Sequence, residues 1–131
     1  MRRLFSRLFI ALLASLLCHG AAAQYPSRPI HLLVPIPPGG GPDIVARLIA
    51  PRLGDALGQP VVIENRVGGN GNLAGELVAK SPADGHTLLL GMDSLMVINP
   101  HLYASMPFDP LKDLAPVASL VSNGFFMIPV P

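Results

Sequence analysis

Cysteine is almost absent, Cys18 being the only one in 131 residues. Everything beyond it therefore lacks a disulfide framework and a thiolate metal site, and stability there rests on the packed core alone. Charged residues make up 13% of the chain and aromatic ones 5%. Beyond residue 23, six basic side chains (Arg28, Arg47, Arg52, Arg66, Lys80 and Lys112) face eight acidic ones, a net of −2. With the basic groups dispersed, there is no electrostatic footprint for nucleic acid. No G-x-x-x-x-G-K-[ST] sequence is present, so a nucleotide P-loop has no support, and Ser94 lacks the G-x-S-x-G setting of a hydrolase nucleophile. His31, His86 and His101 are too widely separated to share metal-ligand spacing. No internal repeat is evident. This reading assigns no catalytic residue, no metal and no cofactor. Gly 13 and Pro 15 are abundant. Together they still fall below the range of about 25–30% where low-complexity disorder becomes the default, so one packed domain is expected.

What is present begins with an export signal over residues 1–23. Arg2, Arg3 and Arg7 form a basic n-region, Leu8 to Leu17 an apolar h-region, and Ala21-Ala22-Ala23 a small-residue cleavage site. The apolar stretch is interrupted by His19 and Gly20, short of the roughly 20 residues of a spanning helix, so no stable membrane anchor is expected. Leu17 stands before Cys18 where lipid attachment wants a small residue. The expected product is a periplasmic chain cleaved near Ala23, with residues 24–131 as its folded part.

Beyond the leader the pattern alternates. Ile30 to Pro35 is an apolar run with the length of a buried strand, and the proline- and glycine-rich stretch Pro37 to Pro42 forces a loop. From Asp43, the residues Ile44, Val45, Leu48, Ile49, Leu53, Ala56 and Leu57 recur at spacings of three and four, which predicts an amphipathic helix stopped by Gly58. Pro51 is expected to bend or split it. Pro60 to Glu64 predicts a second strand, followed by a glycine-rich loop from Asn65 to Gly71. The next helix places Leu73, Ala74, Leu77 and Val78 on one face and Glu76 and Lys80 in position to pair. His86 to Leu90 predicts a third strand. Beyond Gly91 a loop to Asn99-Pro100, a short turn of helix at His101 to Tyr103, and apolar runs at Leu114 to Val121 and Phe125 to Val130 are expected. Strand, helix, strand, helix, strand with short joints is the pattern of an α/β fold, a parallel sheet with flanking helices.

In a parallel sheet, both glycine loops open on the carboxyl edge, each just before a helix whose first N–H groups lack intrahelical partners. Glycine lets the backbone approach a ligand closely and adopt positive φ, so consecutive amides can converge on an anionic oxygen. A carboxylate or phosphate is the matched guest. Gly69-x-Gly71-x-x-Ala74, with Asp93 about 20 residues on, also fits a loose dinucleotide fingerprint. The alternative function is therefore an exported or mislocalised dinucleotide-binding oxidoreductase domain. Against it, Gly69 lies five positions after Glu64, where the fingerprint wants its first glycine almost at the strand end.

The ordered set Tyr25-Pro26-Ser27-Arg28-Pro29-Ile30, Pro38-Gly39-Gly40-Gly41-Pro42-Asp43, Gly58 to Arg66, Pro82 to Leu89, Ile98 to Tyr103 and Phe108-Asp109-Pro110 resembles the Bug-type substrate-binding receptors of tripartite tricarboxylate transporters. The resemblance implies a periplasmic-binding-protein-like lobe that binds a small carboxylated solute and delivers it to the transporter's membrane subunits. It implies ligand-binding roles for Pro38, Gly39, Gly40, Gly41 and Asp43 in the first loop and Gly69, Asn70, Gly71 and Asn72 in the second. Asp93 and Ser94 would border the same crevice. Asp93 departs from the small or hydroxyl residue expected there; an acid at that place opposes a polyanionic ligand or pairs with a cationic group. Family members run to about twice this length or more. The likeness therefore implies an amino-terminal part with the second lobe missing and half a site.

Overall fold

The computed structural model describes residues 25–122. The expected leader and the run Phe125 to Val130 lie outside the described residues. Three strands, β1 (Ile30–Val34), β2 (Val61–Asn65) and β3 (Thr87–Leu89), form a parallel sheet in the order β2-β1-β3. The register pairs Ile30 with Val61 and Val34 with Asn65 on one side of β1, and His31 with Thr87 and Leu33 with Leu89 on the other. As the central strand, β1 is covered on both faces, which is why Ile30, Leu32, Leu33 and Val34 are all buried and its sequence reads as a continuous apolar run.

Helix α1 (Gly41–Leu57) connects β1 to β2, and α2 (Asn72–Ala79) connects β2 to β3. The two connections travel in opposite directions across the sheet. Right-handed crossovers then place the helices on opposite faces. On the α1 side, Leu32, Val34, Ala46 and Leu90 form a core with Ile36, Val61, Ile63 and Leu88 packed around it.

Both helices bury a stripe rotated from the one the periodicity suggests: Ala74 is buried as expected and Val45, Ile49, Leu53 and Val78 are half-buried, but other expected residues face outward. In α1 the buried residues are Asp43, Ala46 and Ala50, while Ile44 is 51% and Leu48 67% exposed. In α2 they are Asn72, Ala74 and Gly75, while Leu73 and Leu77 are exposed. Small side chains let each helix axis come close to the strands, and the larger apolar residues are rotated outward. The expected break at Pro51 does not occur: α1 runs unbroken from Gly41 to Leu57. Pro51 sits on the exposed side, where water can reach the Arg47 carbonyl that the missing N–H releases. Gly58 ends the helix in a left-handed conformation, φ 69°. The Glu76–Lys80 pair forms.

After β3 the expected loop is helical instead. A wider, π-type turn over Ser94–Ile98 continues into α3 (Asn99–Leu102). It brings fully buried Leu95 against α2. The run Leu114 to Val121 forms no strand and is largely exposed. At the opposite end of the sheet, the lead-in is fastened to the turn before β3. Tyr25 Oη donates to the Gly85 carbonyl at 2.7 Å, and Arg28 pairs with Asp84 at 2.7 Å. The His86 N–H, followed by Arg28, holds the Asp84 carboxyl down to about 2.

Gly75 marks the tightest helix contact. A Cβ there would overlap Phe108 Cζ and lie 3.1 Å from Leu95 Cδ1. We expect Gly75→Ala to destabilise the fold by about 1–3 kcal/mol, overpacking outweighing the better helix propensity of alanine. A lowered urea midpoint would show it, and Phe108→Leu in the same chain should recover part of the loss.

Candidate ligand-binding site

Because the strands are parallel, the segments that follow β1, β2 and β3 all emerge at one edge of the sheet. The order β2-β1-β3 also makes the gap between β1 and β3 the point where the winding reverses, the usual place for a crevice in an open α/β sheet. Gly71 shows how closely the three segments meet. A Cβ on it would lie 3.2 Å from Leu95 Cδ1 of the third segment and 3.4 Å from Pro35 Cβ of the first.

Asp43 organises the first segment from inside. Its residue is 1% exposed, yet its carboxylate accepts four hydrogen bonds. Arg47 Nε donates to Oδ2 at 2.8 Å and Arg47 Nη2 to Oδ1 at 3.0 Å; the Gly39 N–H donates to Oδ2 at 2.9 Å and Asn65 Nδ2 to Oδ1 at 2.8 Å. Asn65 Nδ2 also donates to the Ile36 carbonyl at 2.9 Å, so the end of β2 holds the start of the loop. Arg47, then the Gly39 amide and Asn65, keep the Asp43 carboxyl far below the usual carboxylate range. The carboxylate, and with it the Gly39 amide, is committed to internal bonds. Pro38, Gly39 and Gly41 lie exposed and Gly40 half-buried. Ile44 N–H donates to Gly40 O, whereas among the described residues nothing accepts from the N–H groups of Gly41 and Asp43.

The second segment turns through Gly69, Asn70 and Gly71, all at positive φ, with Asn70 at φ 54°. Gly71 N–H donates to Gly68 O at 3.0 Å, and Asn72 N–H donates to Gly69 O. The N–H groups of Gly68, Gly69 and Asn70 find no acceptor among the described residues. The side chains of Asn70 and Asn72 turn to the third segment: Asn70 Nδ2 donates to Asn99 Oδ1 at 2.8 Å, and Asn99 Nδ2 donates to Asn72 Oδ1 at 2.7 Å. Asp93 is exposed, and its Oδ1 accepts from the Ser94 N–H at 2.8 Å, while Ser94 is half-buried.

The two glycine loops and the Asp93-Ser94 segment therefore share one edge, but the side chains of Asp43, Asn70 and Asn72 serve internal bonds. Asn65 and Asn99, which hold the two loops, carry no mark of a site residue in the sequence. Each is an asparagine just past or just before an element boundary, a weak signal by itself. The dinucleotide fingerprint follows β2, which lies at the edge of the sheet among the described residues, and the Asp93 carboxylate caps its own chain; neither favours a nucleotide. A groove of about 890 Å³ opens elsewhere, between the second half of α1 and β2, lined by Arg47, Pro51, Asp55, Val61 and Ile63 among others. None of the candidate residues lines it. No described helix is long and apolar enough to cross a membrane.

The Asp43 network carries a pH signature. A carboxyl held low in the folded chain contributes stability that is complete above the unfolded value near 4 and fades as pH falls below it. Asp43→Asn, which keeps the volume but loses the charge, should lower the urea midpoint at pH 7. The gap between variant and wild type should narrow as pH drops from 4 toward 2.

Residues 45–131 match the family described as the tripartite tricarboxylate transporter family receptor. The chain is 48% identical to the protein BugT of Bordetella pertussis (strain Tohama I) over 99 residues, covering 75% of this chain and 30% of BugT. Among solved structures it is similar to Rpa4515 of R. palustris with adipate, at 45% identity and TM-score 0.64, covering 66% of this chain and 29% of that one. It is also similar to MatC (Rpa3494) of Rhodopseudomonas palustris with bound malate, at 38% identity and TM-score 0.63, covering 73% and 33%. The chain thus spans about a third of the length of the relatives it matches. On the family match, the relatives and the shared parallel-sheet lobe, this chain belongs to the tripartite tricarboxylate transporter receptor family.

Proposed function

We propose that this chain supplies one wall of a carboxylate-binding crevice in a periplasmic solute receptor, exported by the residue 1–23 leader, which hands its ligand to transporter membrane subunits. The observation that carries the reading is the set of unengaged backbone amides on two neighbouring loops of one sheet edge: Gly41 and Asp43 in the first, Gly68, Gly69 and Asn70 in the second. The first pair opens α1, a 17-residue helix whose dipole adds partial positive charge where an anionic oxygen would sit. Asp43 takes part through its N–H, with its carboxylate shaping the loop. Pro38, Gly39 and Gly40 shape the first loop, Gly71 and Asn72 the second, and Ser94 borders the opening. The reading is supported by similar proteins holding adipate and malate. It is one of binding without turnover.

The test is a titration of the ¹⁵N-labelled chain with malate, adipate, citrate and NADH. Malate or adipate should shift the amide resonances of Gly41, Asp43, Gly68, Gly69 and Asn70, leave the added acid chemically unchanged, and find no counterpart with NADH. Amides that stay unmoved at millimolar acid, or that respond only to NADH, would overturn the reading. Asp93 adds a charge selectivity. Its exposed carboxylate disfavours a third negative charge, so Asp93→Asn should strengthen citrate binding by about two- to fivefold and change malate binding less.

A further inference from the structure

We infer that Asn99 is the positioning residue for the second amide cluster, holding it by pinning the Asn70 carbonyl inward; the inference rests on the carboxylate reading above. Asn99 is 0% exposed and stands at the first position of α3. Its amide is fully used. Nδ2 donates to the Asn70 carbonyl at 3.1 Å and to Asn72 Oδ1 at 2.7 Å, while Oδ1 accepts from Asn70 Nδ2 at 2.8 Å. Asn70 is held from both backbone and side chain in a left-handed conformation that a non-glycine residue seldom adopts.

Residues 67–71 include three glycines, and among the described residues their side-chain hydrogen bonds all run to Asn99. Glycine leaves such a loop many conformations, and in the observed one the Gly68, Gly69 and Asn70 amides lie on one turn without acceptors among the described residues. Holding the Asn70 carbonyl fixes the peptide plane between Asn70 and Gly71, and holding the Asn70 side chain fixes the Cα from which the preceding plane, with the Asn70 N–H, departs. Leu95 supplies a second hold from the same segment, packing where a Cβ on Gly71 would lie. The chain after β3 therefore sets the geometry of the loop after β2. Asn99 itself is buried beneath the loop and acts on ligand through Asn70.

The experiment compares wild type, Asn99→Ala and Asn99→Asp by amide resonances and by malate affinity. Asn99→Asp keeps the volume and the acceptor for Asn70 Nδ2 but loses both donors. Both variants should move the resonances of Gly68, Gly69, Asn70 and Gly71, leave those of Gly39 and the strands in place, and weaken malate binding about tenfold, as loss of buried donors predicts. Loop resonances unchanged and malate affinity within twofold of wild type would overturn the inference. Should both variants fail to fold, Asn70→Gly tolerates the same φ and removes one of the three bonds. It should shift the same resonances and weaken malate about threefold, and an unchanged loop there would overturn the inference too. The two readings fail separately. A wild type whose amides ignore malate sinks the receptor reading, and the loop resonances alone then decide the role of Asn99.

Discussion

The carboxylate of Asp43 is the fixed point of this edge of the sheet. A buried charge is tolerable only when charge and lone pairs are answered at close range, and here four donors from three places in the chain answer it. Arg47 comes from the next turn of α1, Gly39 from the loop and Asn65 from the end of β2. Each bond fixes something else. Gly39 fixes the loop's path, Arg47 joins the helix to its own first turn, and Asn65 extends the hold to the Ile36 carbonyl. Removing the charge would loosen the joint between strand, loop and helix together, because the same oxygen atoms serve all three.

A parallel logic governs the second loop, with a neutral hub. Asn99 does with amide and carbonyl what Asp43 does with charge, satisfying every polar atom it buries. Both hubs lie beneath glycine-rich turns that have little side-chain packing of their own, and both leave a subset of backbone N–H groups without acceptors among the described residues. On the function proposed above, rigid support beneath and unsatisfied donors above would make a preorganised anion site, since the donors need no rearrangement when an oxygen arrives.

The alternation of apolar runs and glycine loops was enough to read the strands, the helices, their parallel order and the shared edge of the two loops, because strand length and helical period are local properties. The rotation of the helices was not. Ile44 and Leu48 fit an apolar stripe as well as Ala46 and Ala50 do, and only the distance between helix and sheet decides for the smaller pair. Likewise Gly75 reads as a weak point in a helix until Phe108, 33 positions later, is seen filling the space above it. Pro51 reads as a break, yet one missing hydrogen bond on an exposed side is too small a loss to end a helix held by its packed face. After β3 the short helix is partly legible, a turn being expected at His101 to Tyr103 where α3 covers Asn99–Leu102, but the wide turn over Ser94–Ile98 gives no clean period. As for the site, the loops were legible, but the roles within them were not. The resemblance implies a ligand-binding role for Asp43, but that its carboxylate is taken up by internal bonds is not legible, because Asn65 above all is distant in sequence.

The choice of small residues at both helix–sheet contacts bears on the site as well as on packing. Ala46, Ala50 and Ala74 bring the helices near the strands, while Gly75 admits Phe108 and Leu95 against α2. A helix drawn close to its sheet starts close to the strand end it follows. The loop between them must then be short and turn sharply, which is what glycine supplies. The same closeness places the first turn of α1 beside the end of β2, within reach of Asn65, and Gly71 beside Pro35 and Leu95. Larger residues at those contacts would lift the helices away and widen the gap between the loops. Tight packing under the helices and short, sharply turning loops at the strand ends are thus one geometric requirement, met by the same few small side chains.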